Sequence, residues 1–544
     1  MRTRSIVCGV DFSNSSARAL RHAAALARRG GACLLVLFVE DPLLAAAGRG
    51  SGRARDARTR QNGAAVAWID NGRRPPPRTG AGTGGAVIKM DDQQQLITAL
   101  RLPHVDTHIS CVLFDHGVAY KIKKAVRFPF LDFSTLAKRE FYCREELRLN
   151  GRLAPSIYLD VVPITGSVDA PVIGGSGPAI EFAVKMREFD QNGLLSRAIE
   201  RDELTTERVD ELAGVVAEFH TQTAVAAGGT PYGEPAVILK DARDNFAALG
   251  GVDALRDWTE REAKRCARVF EARKRDGFIR ECHGDLHLGN IALVDNRVTL
   301  FDCIEFNPAM RWIDVMSDVA FVVMDLRDRR RGDLAARFLN TYLERTGDYA
   351  GLEVLRFYVV YRAMVRAKVA ALAGQSAGVD GYVGLATRET APAQPSIVIT
   401  HGVAGSGKST RARALVDAGA VAIRSDVERH RLFGAGVYTA ASTAATYHRL
   451  ADLARAIVLA GYTVVVDATF LKRAQRDLLH AVATDLRVPF VIADCTAPVA
   501  VLRDRIARRL ERGTDASEAT ADVLMQQLST EEPLAMDELS SRLP

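Results

Sequence analysis

The segment CHGDLHLGN, residues 282–290, decides how the middle of this 544-residue chain folds. It is followed by two short apolar runs within residues 291–301, joined by an Asp-Asn pair and closed by Asp302. Apolar runs separated by such a pair predict a β-hairpin. The loop and the hairpin carry Asp285, Asn290 and Asp302, whose oxygen-bearing side chains suit the orientation of a hydroxyl and the neutralisation of charge through a metal.

The spacing of these residues is that of a phosphoryl-transfer loop. In protein kinases, an H-R-D-x-x-x-x-N loop places its aspartate on the acceptor hydroxyl and its asparagine on magnesium, and a hairpin then supplies a second metal-binding aspartate. Asp285 and Asn290 keep that separation, and Asp302 closes the hairpin. Each residue alone could be structural, because a His-Gly-Asp turn can cap a loop and an aspartate can end a strand through backbone hydrogen bonds. The agreement of order and spacing favours the catalytic interpretation.

A lysine that grips phosphate is predicted upstream of this loop. Residues 111–122 have the pattern of a hairpin, and its second strand carries Lys121. Because Lys123 and Lys124 lie beside it, the alternative is a solvated, lysine-rich strand edge. A helix predicted over 135–149 offers three glutamates as ion-pair partners for this lysine, of which we favour the first: Glu140, Glu145 and Glu146.

With these residues, the segment 91–388 resembles the aminoglycoside phosphotransferase family. It is most similar to the branch fused to a C-terminal ATP-binding domain, which shares runs such as YKIKK at 120–124 and FLDFS at 130–134. The resemblance implies a protein-kinase-like bilobal domain, with residues 183–187 leading into the adenine-binding hinge and Met186 beside the nucleotide. The roles it implies are catalytic base for Asp285, magnesium ligand for Asn290 and Asp302, and phosphate ligand for Lys121. No G-x-G-x-x-G loop precedes the lysine, so another loop contact must hold the phosphates.

A second phosphate-binding pattern opens the C-terminal region. Residues 396–400 form an apolar run that predicts a buried strand, followed by GVAGSGKST at 402–410 and a helical pattern. This is a complete Walker A loop, whose glycines let backbone N–H groups surround phosphate oxygens at a helix N-terminus. Lys408 would reach the β- and γ-phosphates, and the Ser409 hydroxyl would bind magnesium. The nucleotide-binding residues predicted here are Gly402, Gly405, Ser406, Gly407, Lys408, Ser409 and Thr410.

Carboxylates end the later strands of this region, which alternate with helices. In such sheets the carboxyl ends of the strands face the crevice where ligands bind. Asp467, which follows three valines, is predicted to hold magnesium or its water, and Asp426 and Arg429 are predicted to hold an acceptor hydroxyl and a neighbouring phosphate. An arginine-rich helix at 503–512 is either a lid, with Arg505 over the transferring phosphoryl group, or a plain basic face.

Residues 396–544 resemble the P-loop kinases that include gluconate kinase, polynucleotide 5′-hydroxyl kinase and zeta toxin. The resemblance implies a parallel-sheet α/β domain that transfers phosphate from ATP. The order of the phosphate loop, Ser425-Asp426, Asp467-Ala468-Thr469 and the arginine helix matches these families without choosing among them. No clear final strand follows the arginine helix, which predicts a weakened sheet edge.

The N-terminal residues 1–44 have the pattern strand, helix, strand, which is one βαβ unit. The unit resembles the start of a universal stress protein, in which an aspartate placed like Asp11 helps to hold a nucleotide base. A nucleotide sensor is one interpretation, but a truncated remnant of that domain is favoured, because one βαβ unit cannot bury a core. Residues 45–90 are rich in Gly, Arg, Ala and Pro, which predicts a disordered linker. A shorter break at 390–394 divides the two kinase-like regions.

Composition limits the class of protein. Hydrophobic residues at 48% and charged residues at 25% are typical of globular domains, and a net charge of +6 over this length gives no reason to expect a nucleic-acid partner. The eight cysteines are scattered, as in a reduced cytoplasmic protein. The apolar stretch 355–372 is broken by basic residues, and Asp11 interrupts the first apolar run, so neither a membrane span nor a signal peptide is expected.

The sequence therefore predicts a multidomain protein of the α/β and α+β classes, a bifunctional phosphotransferase that uses ATP and Mg²⁺ on small-molecule hydroxyl acceptors. The acceptors and the oligomeric state stay open, because acceptor pockets lie on loops. One alternative is a regulatory ATP-binding stress-response protein with little catalysis. Another is a nucleic-acid end kinase or toxin-like kinase, for which the arginines of the linker are the one added hint.

Overall fold

The computed structural model describes residues 5–10, 33–38, 90–128, 130–512 and 520–543. The chain divides into two compact units. Unit 1 comprises Met1–Arg144 and Asp160–Met186, and unit 2 comprises Glu145–Leu159 and Arg187–Pro544. Of the helices in the described ranges, none carries an apolar stretch long enough to cross a bilayer.

Unit 1 is built on a six-stranded sheet with strand order β3-β4-β5-β10-β8-β9. Its elements, of which α2, β8 and β10 extend into unit 2, are β1 (Ser5–Val10), β2 (Cys33–Phe38), α1 (Met90–Leu100), β3 (His104–Asp106), β4 (Ser110–Asp115), β5 (Val118–Lys123), β6 (Arg127–Phe128), β7 (Leu131–Asp132), α2 (Leu136–Asn150), β8 (Tyr158–Ser167), β9 (Ala170–Ile173) and β10 (Glu181–Arg187). Leu96 and Ile97 of α1 pack on Cys111, Leu113 and Ile122 of the sheet. This apolar contact explains why Cys111 and Leu113 of β4 are buried whereas Val112 between them is partly accessible.

The first two strands pair in parallel, from Ser5 opposite Cys33 to Val10 opposite Phe38. A parallel pair requires a crossover connection, as in the predicted βαβ unit. The predicted helix between the strands, Asp11 and the linker up to residue 89 lie outside the described residues.

A buried ion pair holds the centre of unit 1. Arg139 of α2 donates from Nε to Glu181 of β10 at 2.9 Å, and the two side chains are only 1% and 0% exposed. Glu181 also accepts from Gln93 of α1 at 2.8 Å, and Arg139 donates to the Phe133 carbonyl at 3.0 Å. Two helices and a strand therefore meet at one carboxylate, which fixes how the helices lie on the sheet.

Unit 2 begins with helices that surround two short β-ribbons. These elements are α3 (Leu195–Glu200), α4 (Thr206–Gln222), α5 (Pro235–Asp244), α6 (Asp253–Arg275), β11 (Ile279–Glu281), β12 (Ile291–Val294), β13 (Arg297–Leu300), α7 (Pro308–Arg311), β14 (Trp312–Asp314), α8 (Val315–Asp328), α9 (Gly332–Thr346), α10 (Leu352–Leu372) and α11 (Ser376–Glu389). Every residue of α8 from Val315 to Leu326 is buried. A helix that is buried on all faces lies inside the core rather than on its surface.

A parallel sheet with strand order β16-β17-β15-β18 completes unit 2. Its elements are β15 (Ile397–His401), α12 (Lys408–Asp417), β16 (Val421–Arg424), α13 (Ser425–Phe433), α14 (Ala440–Leu459), β17 (Val464–Asp467), α15 (Arg473–Leu486), β18 (Phe490–Asp494), α16 (Val499–Arg512), α17 (Ala521–Thr530) and α18 (Met536–Leu539). The described residues after α16 form no strand of their own, but one of them makes an isolated bridge to β18. Ile492 of β18 donates to the Ser541 carbonyl and accepts from the Leu543 amide, both at 2.8 Å, in a short parallel bridge.

One apolar cluster of unit 2 includes residues from both kinase-like regions. It contains Tyr358 and Ala363 of α10 together with Ile397 of β15 and Val464 of β17. The break predicted at 390–394 therefore joins two regions that share a core, and it does not separate two independent cores.

The ion pair of unit 1 yields a stability prediction. We expect Glu181→Ala to lower the free energy of unfolding of unit 1 by about 3–5 kcal/mol, because it leaves the Arg139 charge buried without a counterion. The matched control is Glu140→Ala on the same helix, which removes an exposed pair and should cost less than about 1 kcal/mol. Urea-dependent hydrogen exchange of β3, β4 and β5 measures both, and equal losses would contradict the expectation.

Candidate functional site

The loop that follows β11 has the geometry predicted for it. β12 and β13 pair as a hairpin from Ile291 opposite Leu300. The pairing extends one residue beyond the strands, because the Phe301 amide donates to the Asn290 carbonyl at 3.0 Å. Asp302 therefore follows the residue that lies opposite Asn290. The Asn290 side-chain amide donates to the Asp285 carbonyl at 2.9 Å and to its carboxylate at 3.1 Å. The structure thus brings the three residues predicted in this loop together.

Two buried carboxylates of α8 accept hydrogen bonds from backbone amides of the loop. Asp318 accepts from the His283 amide at 2.7 Å and from the Gly284 amide at 3.0 Å. Asp325 accepts from the Leu288 amide at 2.8 Å. Sequence reasoning did not single out Asp325, although the seven-residue spacing of the two aspartates places them on one helix face and could have indicated a shared role. Both carboxylates fix the backbone of the loop.

The Asp285 carboxylate is kept ionised by its neighbours. Burial alone would raise its pKa, but the positive charges of His287 and Arg366 outweigh burial, so the pKa of Asp285 lies below its ordinary value. His287 Nε2 lies 3.4 Å from the carboxylate, which is 24% exposed. An ionised, partly accessible carboxylate can accept a hydrogen bond from a hydroxyl.

Backbone conformation gives this loop its shape. Gly284 has φ +89°, and a Cβ there would lie 2.7 Å from the Met310 carbonyl oxygen, so only glycine fits. Asp302 also has a positive φ, +63°, and its amide donates to the Tyr158 hydroxyl at 3.2 Å. A non-glycine residue held in this region is uncommon and often marks a functional position.

The residues predicted in unit 1 lie on β5, α2 and β10. Lys121 is partly accessible on β5, whereas Lys123, on the same face, is buried with its ammonium 5.0 Å from the Phe133 ring centroid. Glu140 is partly accessible on α2, and its carboxylate accepts from Arg144 at 2.8 Å. The favoured ion pair between Lys121 and Glu140 stays a prediction, and so does the adenine contact of Met186, the last residue of unit 1.

The loop from Gly402 to Thr410 joins β15 to α12 and contains the glycines predicted to cradle phosphate. Gly402 has φ +131°, Gly405 +80° and Gly407 +103°, conformations that only glycine adopts freely. Lys408 is 9% exposed and donates from Nζ to the Val403 carbonyl at 2.8 Å. Among the described residues, the buried Ser406 hydroxyl finds no hydrogen-bond partner. The loop thus offers buried donors that an oxyanion can satisfy.

A cavity of about 770 Å³ opens over this loop. The predicted residues that line it are Gly405, Gly407, Lys408, Ser409, Thr410, Asp426, Arg429, Asp467 and Arg505. Arg505 of α16 donates to the Gly405 carbonyl at 3.1 Å, so this arginine lies at the phosphate loop. These predicted residues come from four segments of the sequence and converge on one cavity.

The far end of the cavity holds the predicted acceptor residues. Arg429 donates to the Asp426 carboxylate at 3.0 Å, and its guanidinium lies 4.7 Å from the Tyr438 ring centroid. The arginine is only 7% exposed, and no acceptor among the described residues reaches its Nε. A buried guanidinium with a spare donor favours an anionic group on the ligand.

Sequence reasoning missed two further residues of the cavity. Gln527 of α17 accepts from the Ala404 amide of the phosphate loop at 2.7 Å. Arg424 ends β16 and lies 3.8 Å from the Asp467 carboxylate. Arg424 stands directly before the predicted Ser425-Asp426 segment, which was the available signal for it.

Comparisons with known proteins agree with this geometry. Residues 144–358 match the phosphotransferase enzyme family, residues 397–534 match the AAA domain family, and residues 2–74 match the universal stress protein family. The last match extends beyond residue 44, where the predicted βαβ unit ends. The fold and the two sites thus define a phosphotransferase of the kinase-like class joined to a P-loop domain.

Relatives at the level of the whole chain are proteins of Mycobacterium tuberculosis and Mycobacterium bovis, both described as uncharacterized. Each is 30% identical over 448 residues, which cover 77% of this chain and 88% of the relative. The chain belongs to the same family as these mycobacterial proteins.

Solved structures similar to part of the chain include kinases. An APS kinase of Mycobacterium tuberculosis is 29% identical over 24% of this chain and 78% of its own, with a TM-score of 0.20. A gluconokinase of Sinorhizobium meliloti is 23% identical over 28% of this chain and 82% of its own, with a TM-score of 0.23. Because both TM-scores are below 0.5, the family assignment rests on the sequence matches.

The phosphate cradle yields a second prediction. A Cβ on Gly402 would lie 2.2 Å from the Cys495 carbonyl oxygen, so Gly402→Ala must displace the loop. We expect nucleotide affinity at this loop to fall by about tenfold or more, given a backbone strain of about 1–3 kcal/mol. The control is Gly332→Ala, where a Cβ meets open space. Calorimetric titration with ADP compares the two, and equal affinities would contradict the expectation.

Proposed function

We propose that this protein is a bifunctional ATP-dependent phosphotransferase whose two sites each transfer the γ-phosphoryl group of ATP to a hydroxyl of a small molecule. The observation that carries the proposal is the single cavity that unites Lys408 and Ser409 with Asp467, Asp426 and Arg429. A phosphate cradle, a metal carboxylate and an acceptor carboxylate in one cavity are the parts that phosphoryl transfer requires.

In the P-loop site, the buried donors suit a magnesium nucleotide. The spare Ser406 hydroxyl and the glycine-lined loop fit phosphate oxygens, and Ser409 and Asp467 are the oxygen ligands that magnesium prefers. When bound, Mg²⁺·ATP supplies the phosphoryl group. Lys408 neutralises the phosphates, and Arg505 lies at the loop to stabilise the transferring charge.

The acceptor end of the same site suits a hydroxyl compound that carries an anionic group. Asp426 accepts the proton of the hydroxyl, and its carboxylate is oriented by Arg429. The Arg429 Nε remains to bind a phosphate or carboxylate of the acceptor. Tyr438 stacks on the guanidinium and limits its rotation.

In the phosphotransferase domain, the ionised Asp285 orients the acceptor hydroxyl and takes its proton. Asn290 and Asp302 are the proposed magnesium ligands, and Lys121 is the proposed phosphate ligand. The two α8 carboxylates keep the loop in the conformation that this arrangement needs.

The experiment that tests the proposal gives the full chain labelled ATP with a panel of hydroxy metabolites, phosphorylated metabolites and oligonucleotides. We expect phosphorylated small molecules, with one product lost in Asp285→Ala and another lost in Lys408→Ala. The matched controls are Asp333→Ala and Lys240→Ala, at accessible positions of α9 and α5. Labelled oligonucleotides alone would favour an end kinase, and ATP binding without any product would favour a regulator.

The electrostatics of Asp285 yield a pH prediction. The base works only when ionised, and its lowered pKa places the acid limb of activity below the ordinary aspartate range near pH 3.9. His287→Gln removes a positive charge, so we expect the pKa of Asp285 to rise and the acid limb to move to higher pH. The pH profile with an acceptor found in the panel measures the shift. His448→Gln, at an exposed position of α14, should leave the profile unchanged.

A further inference from the structure

We propose that Glu344, a residue of the phosphotransferase domain, is a positioning residue for the P-loop site and acts through Arg424 on the magnesium carboxylate Asp467. The inference rests on the proposed function of the P-loop site. It goes further in making that site depend on a side chain from the other domain.

Helix α9 covers one edge of the parallel sheet through a polar contact of Asn340. β16 is the edge strand beside β17. The Asn340 side chain accepts from the Ala422 amide at 2.6 Å and donates to the Ala420 carbonyl at 3.1 Å. This is the pairing that a neighbouring strand would give, so α9 covers the sheet edge and fixes its position. Glu344 lies one turn further along the same helix face.

A line of three charges crosses the domain junction. The Glu344 carboxylate lies 3.4 Å from Arg424 Nη1, and Arg424 Nε lies 3.8 Å from the Asp467 carboxylate. Arg424 and Asp467 are register partners at the ends of β16 and β17. The guanidinium therefore lies between a carboxylate of each domain, and Asp467, at 6% exposed, is the more buried of the two.

Glu344 also contacts α13, the helix that carries the proposed acceptor residues. Its backbone carbonyl accepts from Arg431 Nη2 at 2.6 Å, and Arg431 pairs with Glu428, which is fully buried. Glu428 lies on α13 between the proposed acceptor residues Asp426 and Arg429. One residue of α9 thus contacts both the arginine that ends β16 and Arg431 near the end of α13.

Glu344 affects how strongly Arg424 competes with magnesium for the Asp467 carboxylate. An arginine beside a metal carboxylate competes with the metal for the same negative charge. Glu344 draws the guanidinium away from Asp467 and so lowers this competition. Removing the Glu344 charge shifts Arg424 toward Asp467, which weakens magnesium-dependent nucleotide binding and leaves metal-free binding unchanged.

The experiment titrates Mg²⁺ into the full chain with a fluorescent ADP, and assigns to the P-loop site the binding that Lys408→Ala removes. We expect Glu344→Gln to raise the Mg²⁺ concentration for half-maximal binding about tenfold, which corresponds to about 1.4 kcal/mol. Metal-free binding of the same probe reports whether the variant is folded. The matched control is Glu271→Gln, at an exposed position of α6, and it should behave as the unmodified chain.

A second substitution separates positioning from structural support. In the Glu344→Gln background, Arg424→Met removes the competing charge and should restore the Mg²⁺ midpoint to within about twofold of the unmodified chain. The inference is overturned if Glu344→Gln leaves the Mg²⁺ midpoint unchanged, or if it raises the midpoint and Arg424→Met does not lower it again. Either result leaves the proposed function of the site standing. If Lys408→Ala removes no binding from the unmodified chain, the proposed function of the site fails and the inference fails with it.

Discussion

The complete burial of α8 is the constraint on which unit 2 depends. A helix that is buried from Val315 to Leu326 can carry polar side chains only if they are hydrogen-bonded. Two carboxylates of α8 and the one directly before it meet this requirement in different ways. Asp314 of β14 caps the helix and pairs with Arg273 at 2.7 Å, whereas Asp318 and Asp325 of α8 accept amides of the loop at 283–288. The same burial that drives folding therefore also shapes the loop that carries Asp285.

The shared apolar core extends this dependence to the second site. Because α10 and the strands β15 and β17 contribute to one core, movement of the helices is opposed by the packing of the parallel sheet. The hydrogen bond of Asn340 with the Ala422 amide and the ion pair of Glu344 with Arg424 fix the orientation of α9 against β16. The two kinase-like regions of the chain are thus joined by a common core.

Access to a cavity distinguishes the spare donor of the P-loop site from that of the structural ion pair in unit 1. Arg139 and Glu181 neutralise each other in a buried interior, and the Arg139 Nη2 there has no hydrogen-bond partner among the described residues. The Arg429 Nε also has none among these residues, but Arg429 lines the P-loop cavity. A ligand in that cavity can satisfy the donor and offset the cost of its burial. This access is the physical reason for assigning the cavity to an anionic ligand.

The sequence by itself determined the two loops, the hairpin and the parallel sheet, because their glycines and their Asp, Asn and Lys spacings are local and leave few backbone conformations. It did not indicate the α8 carboxylates as supports of the loop, the edge contact of Asn340 or the approach of Arg424 to Asp467. It predicted a weakened sheet edge and did not indicate that Ile492 pairs with residues 541–543. Only the tertiary structure decided these points, since a partner dozens of residues away is chosen by packing, and one sequence does not state which helix face meets which strand.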